Sequence, residues 1–103
     1  MRQQRHKFGA VRTERDGQRF DSKAEARYWD QLMLAKAAGD VVMVLRQTPF
    51  HLPGGVKYVC DFTVFHASGV VEFVDVKGVE TESFRAKKRM VEALYPVEIE
   101  VTK

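Results

Sequence analysis

Tyr58-Val59-Cys60-Asp61-Phe62-Thr63-Val64-Phe65-His66 and Val70-Val71-Glu72-Phe73-Val74-Asp75-Val76-Lys77, linked by Ala67-Ser68-Gly69 and closed by Gly78, decide the fold. Both runs are rich in β-branched and aromatic residues, and the short link puts a glycine where a hairpin loop needs a left-handed residue. Pairing His66 with Val70 and stepping back along both strands brings Asp61 opposite Asp75. Their Cβ atoms are then expected about 4.5–5.5 Å apart on one face, with Lys77 on that same face. Two adjacent carboxylates repel unless something cationic lies between them, so the register predicts a divalent cation at Asp61 and Asp75. The competing reading is a pair of solvated acids with Lys77 neutralising one. Against it, Val59, Thr63, Val71 and Phe73 share the expected face and are mostly apolar, which predicts a covered surface.

The 103 residues, 45% apolar and 30% charged, correspond to one ordinary globular domain. No apolar stretch approaches a membrane span, and the N-terminus lacks the apolar core of a signal peptide, so a cytoplasmic location is expected. A single cysteine, Cys60, excludes an internal disulfide and a cysteine zinc cluster; alternation places it opposite Asp61, as a buried structural thiol. His6, His51 and His66 lack zinc-ligand spacing and are expected at the surface. The net charge of +3 is unevenly spread. Arg2, Arg5, Lys7, Arg12, Arg15 and Arg19 crowd the first twenty positions, and Arg85, Lys87, Lys88 and Arg89 form a second cluster. Such clusters attract phosphate backbones; Arg12, Arg19, Arg85, Lys88 and Arg89 are the candidate nucleic-acid contacts, a solvated helix face being the alternative for the last three.

Working outward from the hairpin, residues 1–10 are expected to form a flexible basic arm and residues 11–103 the domain. Asp16-Gly17 predicts a tight turn between Val11 and Phe20. Ser22 and Glu25 have the spacing of a capping box, followed by a helix with Ala26, Tyr28, Trp29, Leu32 and Leu34 in its apolar stripe and Gly39 as C-cap. Val41 to Leu52 is β-rich, with Pro49 marking an edge or bend, and Pro53-Gly54-Gly55 is a turn. Thr81 caps a second helix that Pro96 ends, and Val97-Glu98-Ile99-Glu100-Val101 alternates as a last strand. Trp29, Tyr28 and Phe84 are expected in the core. The predicted order is α-β-β-β-α-β: an α/β fold with a mixed sheet flanked by helices.

This order, with Asp61 and Asp75-Val76-Lys77 as an acid, a gap and acid-X-Lys, resembles the PD-(D/E)XK nuclease superfamily and its restriction-endonuclease-like core. Cys60 stands where the superfamily's name places proline, a position that varies among its members. More narrowly, Phe20-Asp21-Ser22-Lys23-Ala24-Glu25-Ala26-Arg27-Tyr28, Arg46-Gln47, Cys60-Asp61-Phe62, Val74-Asp75-Val76-Lys77-Gly78 and Ala93-Leu94-Tyr95-Pro96 resemble small phage and prophage proteins grouped as endonucleases of unassigned role. The resemblance implies a phage-encoded, Mg²⁺- or Mn²⁺-dependent endonuclease of recombination, replication or DNA processing, acting in the host cytoplasm. By the same resemblance Asp61, Asp75, the Val76 backbone carbonyl and Glu25, directly or through water, would hold the metal. Gln47 would be auxiliary, touching a metal-bound water or phosphate.

The expected chemistry is phosphodiester hydrolysis, with Glu25, Asp61, Asp75 and Lys77 as catalytic residues. Hard oxygen ligands suit either ion, and Lys77 has two roles open: to position or deprotonate water, or to stabilise the phosphorane oxyanions. Glu25 has a competing structural role within the capping box. One small domain leaves no room for a separate sequence-reading module, which favours recognition of DNA shape, as at a branched or Holliday junction, or weak selectivity. Two symmetric cuts at a junction require a homodimer. The alternatives are a non-catalytic DNA-binding or assembly module on the same fold and an RNA-directed nuclease.

Overall fold

The computed structural model describes residues 12–103; the expected basic arm, Val11 and His6 lie outside the described residues. Strands β1 (Thr13–Arg15) and β2 (Gln18–Phe20) form a small antiparallel sheet. Asp16 and Gly17 turn between them with φ of 52° and 77°, the positive pair that an Asp-Gly hairpin turn requires. Helix α1 (Lys23–Ala37) follows. It is tied to the turn by Trp29 Nε1 donating to Asp16 at 3.1 Å and by Arg15 bonding Asp30 at 3.1 Å. Ala26, Trp29 and Leu32 face inward, whereas Leu34 is 72% exposed. At 3.6 residues per turn Leu34 lies some 200° around the helix from Leu32, off the apolar stripe assigned to it above.

Four strands build the main sheet: β3 (Val41–Leu52), β4 (Val56–His66), β5 (Val71–Val76) and β6 (Ile99–Thr102), in the order β3-β4-β5-β6. The first two pairings are antiparallel and the last is parallel, with α2 (Glu82–Leu94) forming the crossover. Pro53–Gly55 forms a single 3-10 turn between β3 and β4. Pro49 sits on the edge strand, where a missing N–H is tolerated. The β4–β5 register is the one read from the sequence: Phe65 opposite Val71, through to Phe62 opposite Val74, with Gly69 at φ 97° in the loop. The core therefore has the expected α-β-β-β-α-β order, preceded by the small hairpin, and is an α/β domain with a mixed sheet.

The helices lie on opposite faces. Phe20, Ala26, Trp29, Leu32, Val41, Phe62, Val64 and Val74 form one apolar cluster under α1. Phe50, Leu52, Tyr58, Cys60, Val91 and Ile99, with Phe73 and Phe84 alongside, form the other under α2. Adjacent Phe73 and Val74 enter different clusters, as strand alternation demands. Phe62 and Cys60, two residues apart, should share a face, yet they too are divided. The inversion falls where Gln47 and Asp61 would pair, between Arg46–Phe62 and Thr48–Cys60. Gln47 has φ 56°, a left-handed conformation that breaks the pleat and rotates every later side chain of the ribbon. Thr48 and Thr63, on opposite sides of this step, bond through their hydroxyls at 2.6 Å. One long ribbon thus contributes to both cores.

The inversion corrects the expected covered face. Val59 and Val71 are 40% and 44% exposed, while Thr63 is buried. They do not share one surface, because Val59 lies beyond the break.

Candidate active site

At the pair Phe62–Val74 the β4–β5 ladder stops, one step before Asp61 and Asp75. The two strands part here, and side chains replace the missing backbone bonds. Asp61 N–H donates to Asp75 Oδ1 at 2.8 Å, and Val76 N–H donates to Asp61 Oδ2 at 2.9 Å. Asp75 Oδ2 accepts from the Tyr58 hydroxyl. The two acids are therefore neighbours, as the register predicts, but they do not project in parallel from one face. Asp75 alternates with Val74 toward the α2 side, where it is 1% exposed against Tyr58. Asp61 alternates with Cys60 and points toward α1, where it feels the charge of Glu25.

Glu25 reaches this point from the first turn of α1. Ser22 accepts from Glu25 N–H at 3.1 Å, but the Glu25 carboxylate does not close the reciprocal half of the capping box. Instead it meets Arg46 Nη2 at 3.4 Å, with Glu25 only 4% exposed. Arg46 was not singled out by sequence reasoning, although it organises this corner. It donates to Gln18 Oε1 and to the Arg19 carbonyl, each at 3.1 Å, and its guanidinium lies 3.9 Å from the centre of the Phe20 ring. One arginine on β3 thereby joins β2, α1 and the acid cluster, with its buried Nε left without a hydrogen-bond partner. Only the Arg46-Gln47 dipeptide hinted at it.

The electrostatics follow from this crowding. Burial first, then the charge of Glu25, pushes Asp61 up to about 7, and Asp75 adds to the rise, while the Val76 amide and Lys77 oppose it. Burial and the charge of Asp21 raise Glu25; Arg46 and Lys77 pull it back. Burial and the bond to Asp75 raise the Tyr58 phenol, which stays a donor at neutral pH. The Cys60 thiol, buried and facing the Asp75 charge, is pushed up to about 12 and is inert, as the sequence suggested.

Lys77 follows β5, with its amide donating to the Thr102 carbonyl at 2.8 Å and its Nζ 5.2 Å from the centre of the Phe84 ring. It lies between the acids and a cleft of about 250 Å³ that Asp75 and Tyr58 also line. Gln47 is exposed opposite Asp61, and its side chain makes no hydrogen bond among the described residues. The cationic candidates lie elsewhere. Arg12 and Arg19 line a separate groove by the small hairpin. Arg85 is engaged by Glu82 and the Glu80 carbonyl, and Lys88 by Glu92; Arg89 is exposed. His51 is exposed, and His66 meets Glu72 at 3.0 Å.

Among the described residues, no three His, Cys, Asp or Glu side chains stand as a ready-made metal-holding group. The carboxylate oxygens present are nevertheless of the hard donor type that Mg²⁺ and Mn²⁺ take. Glu25 and Asp61 each keep one oxygen without a hydrogen bond, and both oxygens of Asp75 retain a lone pair.

A family model described as "Protein of unknown function (DUF1064)" matches residues 5–102, nearly the whole chain. The chain belongs to the DUF1064 family. No curated protein and no solved structure matches it. Among the described residues of this DUF1064 chain, no helix is long and apolar enough to cross a membrane.

Proposed function

We propose that this chain is a metal-dependent DNA endonuclease with the restriction-endonuclease-like core of the PD-(D/E)XK superfamily. One observation carries the reading: α1, β4 and the end of β5 bring Glu25, Asp61, Asp75 and Lys77 to one place, where the β4–β5 ladder opens. Asp61 feels the charges of both Glu25 and Asp75 in a largely buried corner, a crowding of carboxylates that is costly and that clusters at functional sites.

Glu25 and Asp61 would hold the ion through their free oxygens, with Asp75 and the Val76 carbonyl completing the set. Once bound, Mg²⁺ or Mn²⁺ would acidify a water and neutralise charge growing on the phosphate. Asp75 fixes the Asp61 backbone through its amide, and Tyr58 holds Asp75 in turn. Arg46 orients Glu25 and limits how far burial raises its pKa. Lys77 stands beside the acids as the cation that positions the attacking water or stabilises the phosphorane oxyanions. Selection by DNA shape, action at branched or Holliday junctions, homodimer formation and a phage role in recombination are parts of the same proposal.

A panel of Holliday junction, duplex, single-stranded DNA and RNA, incubated with Mg²⁺ or Mn²⁺, tests it. DNA cleavage is expected, with a loss of at least about 100-fold in Asp75→Ala and Lys77→Ala. Undiminished cleavage by either variant overturns the site, and preferred cleavage of RNA overturns the substrate. A second reading, a non-catalytic DNA-binding module, draws on the engagement of both Asp75 oxygens by the Asp61 amide and the Tyr58 hydroxyl. Tight DNA binding without cleavage under any divalent ion would favour it.

A further inference from the structure

The cleft behind Asp75 has a character of its own. Lys57 of β4, Lys77 after β5 and Lys87 of α2 all line it, and among the described residues none of the three makes an ion pair. Thr81 and Ser83 line it too. Thr81 Oγ1 accepts from the Phe84 amide, which leaves its proton free to be donated. The one carboxylate in the wall, Asp75, already accepts from the Asp61 amide and the Tyr58 hydroxyl. Three cations from three elements therefore surround a water-accessible space; Lys77 also feels Glu25 and Asp61, whereas Lys57 and Lys87 have only buried Asp75 in the wall beside them. An anion between them removes their mutual repulsion. On α2 itself the division is sharp: Arg85 and Lys88 are held by Glu82 and Glu92, while Lys87, one position away from Lys88, turns into the cleft.

We infer that this cleft is a phosphate subsite, in which Lys57 and Lys87 grip a backbone phosphodiester next to the one presented to Asp61 and Glu25. It rests on the nucleic-acid reading above and adds the direction in which the strand runs: from the acid cluster past Lys77 and across the N-terminal turn of α2. Lys77 is shared by both positions. Neither Lys57 nor Lys87 is among the groups whose charge acts on Asp61 or Glu25, and their ammonium groups match a phosphodiester by charge and not by base identity.

The test is fluorescence anisotropy with labelled duplex, junction and single-stranded DNA in EDTA, over a series of salt concentrations. It compares wild type, Lys57→Gln/Lys87→Gln and a control of equal charge loss, Arg27→Gln/Lys36→Gln, on the exposed surface of α1. Thermal melts confirm that all three are folded. The cleft variant is expected to bind about 10- to 100-fold more weakly, with a log–log salt slope shallower by about 1 to 2, while the control stays close to wild type. Equal affinity and slope in the two double variants overturn the subsite. So does displacement of DNA by inorganic phosphate at concentrations where chloride of the same ionic strength has no effect, which would assign the cleft to a free anion. Cleavage is scored separately: DNA bound through these lysines but never cut upholds the subsite and defeats the nuclease. Cutting by a wild type whose cleft variant binds like the control does the reverse.

Discussion

Replacing Asp61 by Asn should stabilise the protein in alkaline solution and leave it unchanged in acid. Asn keeps an oxygen to accept from the Val76 amide and mimics the protonated acid. Wild-type Asp61 is raised from 3.8 to about 7 in the fold. A raised folded-state pKa means that the native chain binds more protons than the unfolded one, so stability is greatest below pH 3.8 and declines as pH climbs to about 7. At roughly 1.4 kcal/mol per pH unit the ceiling is on the order of 4 kcal/mol. Asp61 shares its repulsion with Glu25 and Asp75 and is partly solvated, which reduces the expected gain to about 1–2 kcal/mol, or roughly 5–10 °C in melting temperature for a domain of this length. Melting curves of the two proteins should coincide near pH 4 and separate through pH 7, and Mg²⁺ or Mn²⁺ should narrow the gap by stabilising only wild type. A variant that melts lower than wild type at pH 8, or a difference that does not vary with pH, would refute the argument that crowded charge dominates this corner.

Gln47→Gly should raise stability by about 1 kcal/mol, because glycine adopts a positive φ without the clash of a Cβ, and chemical denaturation measures it. If Gln47 serves the site, the same variant should cut DNA more slowly despite its greater stability. Arg46→Met should cost about 2–4 kcal/mol by leaving the Glu25 carboxylate buried without its cation, and adding Glu25→Gln should restore at least about 1 kcal/mol in a double-mutant cycle. Phe62→Ala, at the last rung of the β4–β5 ladder and fully buried under α1, should cost about 3–5 kcal/mol in urea unfolding.

The hairpin was legible because its loop fixes its register: Gly69 turns as expected, and Asp61 and Asp75 follow by counting. Helix limits were legible from Ser22 and Thr81, whose side chains do cap. The directions of the two acids were not legible. Alternation is a rule for unbroken strands, and nothing in Arg46-Gln47-Thr48 announces a left-handed residue, since glutamine adopts that conformation only when its surroundings impose it. Glu25 was found through the resemblance, but its partner was not, because Arg46 is brought to it by tertiary packing across more than twenty residues of sequence. Lys57 was overlooked for a related reason: an isolated cation on a strand has no pattern, and only the fold gathers it with Lys77 and Lys87.

The amides of Asp61 and Val76 are secured by carboxylate oxygens where a sheet would ordinarily supply carbonyls. A carbonyl accepts with constant strength, whereas a carboxylate changes with every proton or cation it takes on. These two N–H groups are consequently built-in reporters: their NMR shifts and hydrogen-exchange rates should track the ionisation of the acids and the arrival of a divalent ion or a phosphate. The point where the strands part would thus translate the electrical state of the acids into backbone order.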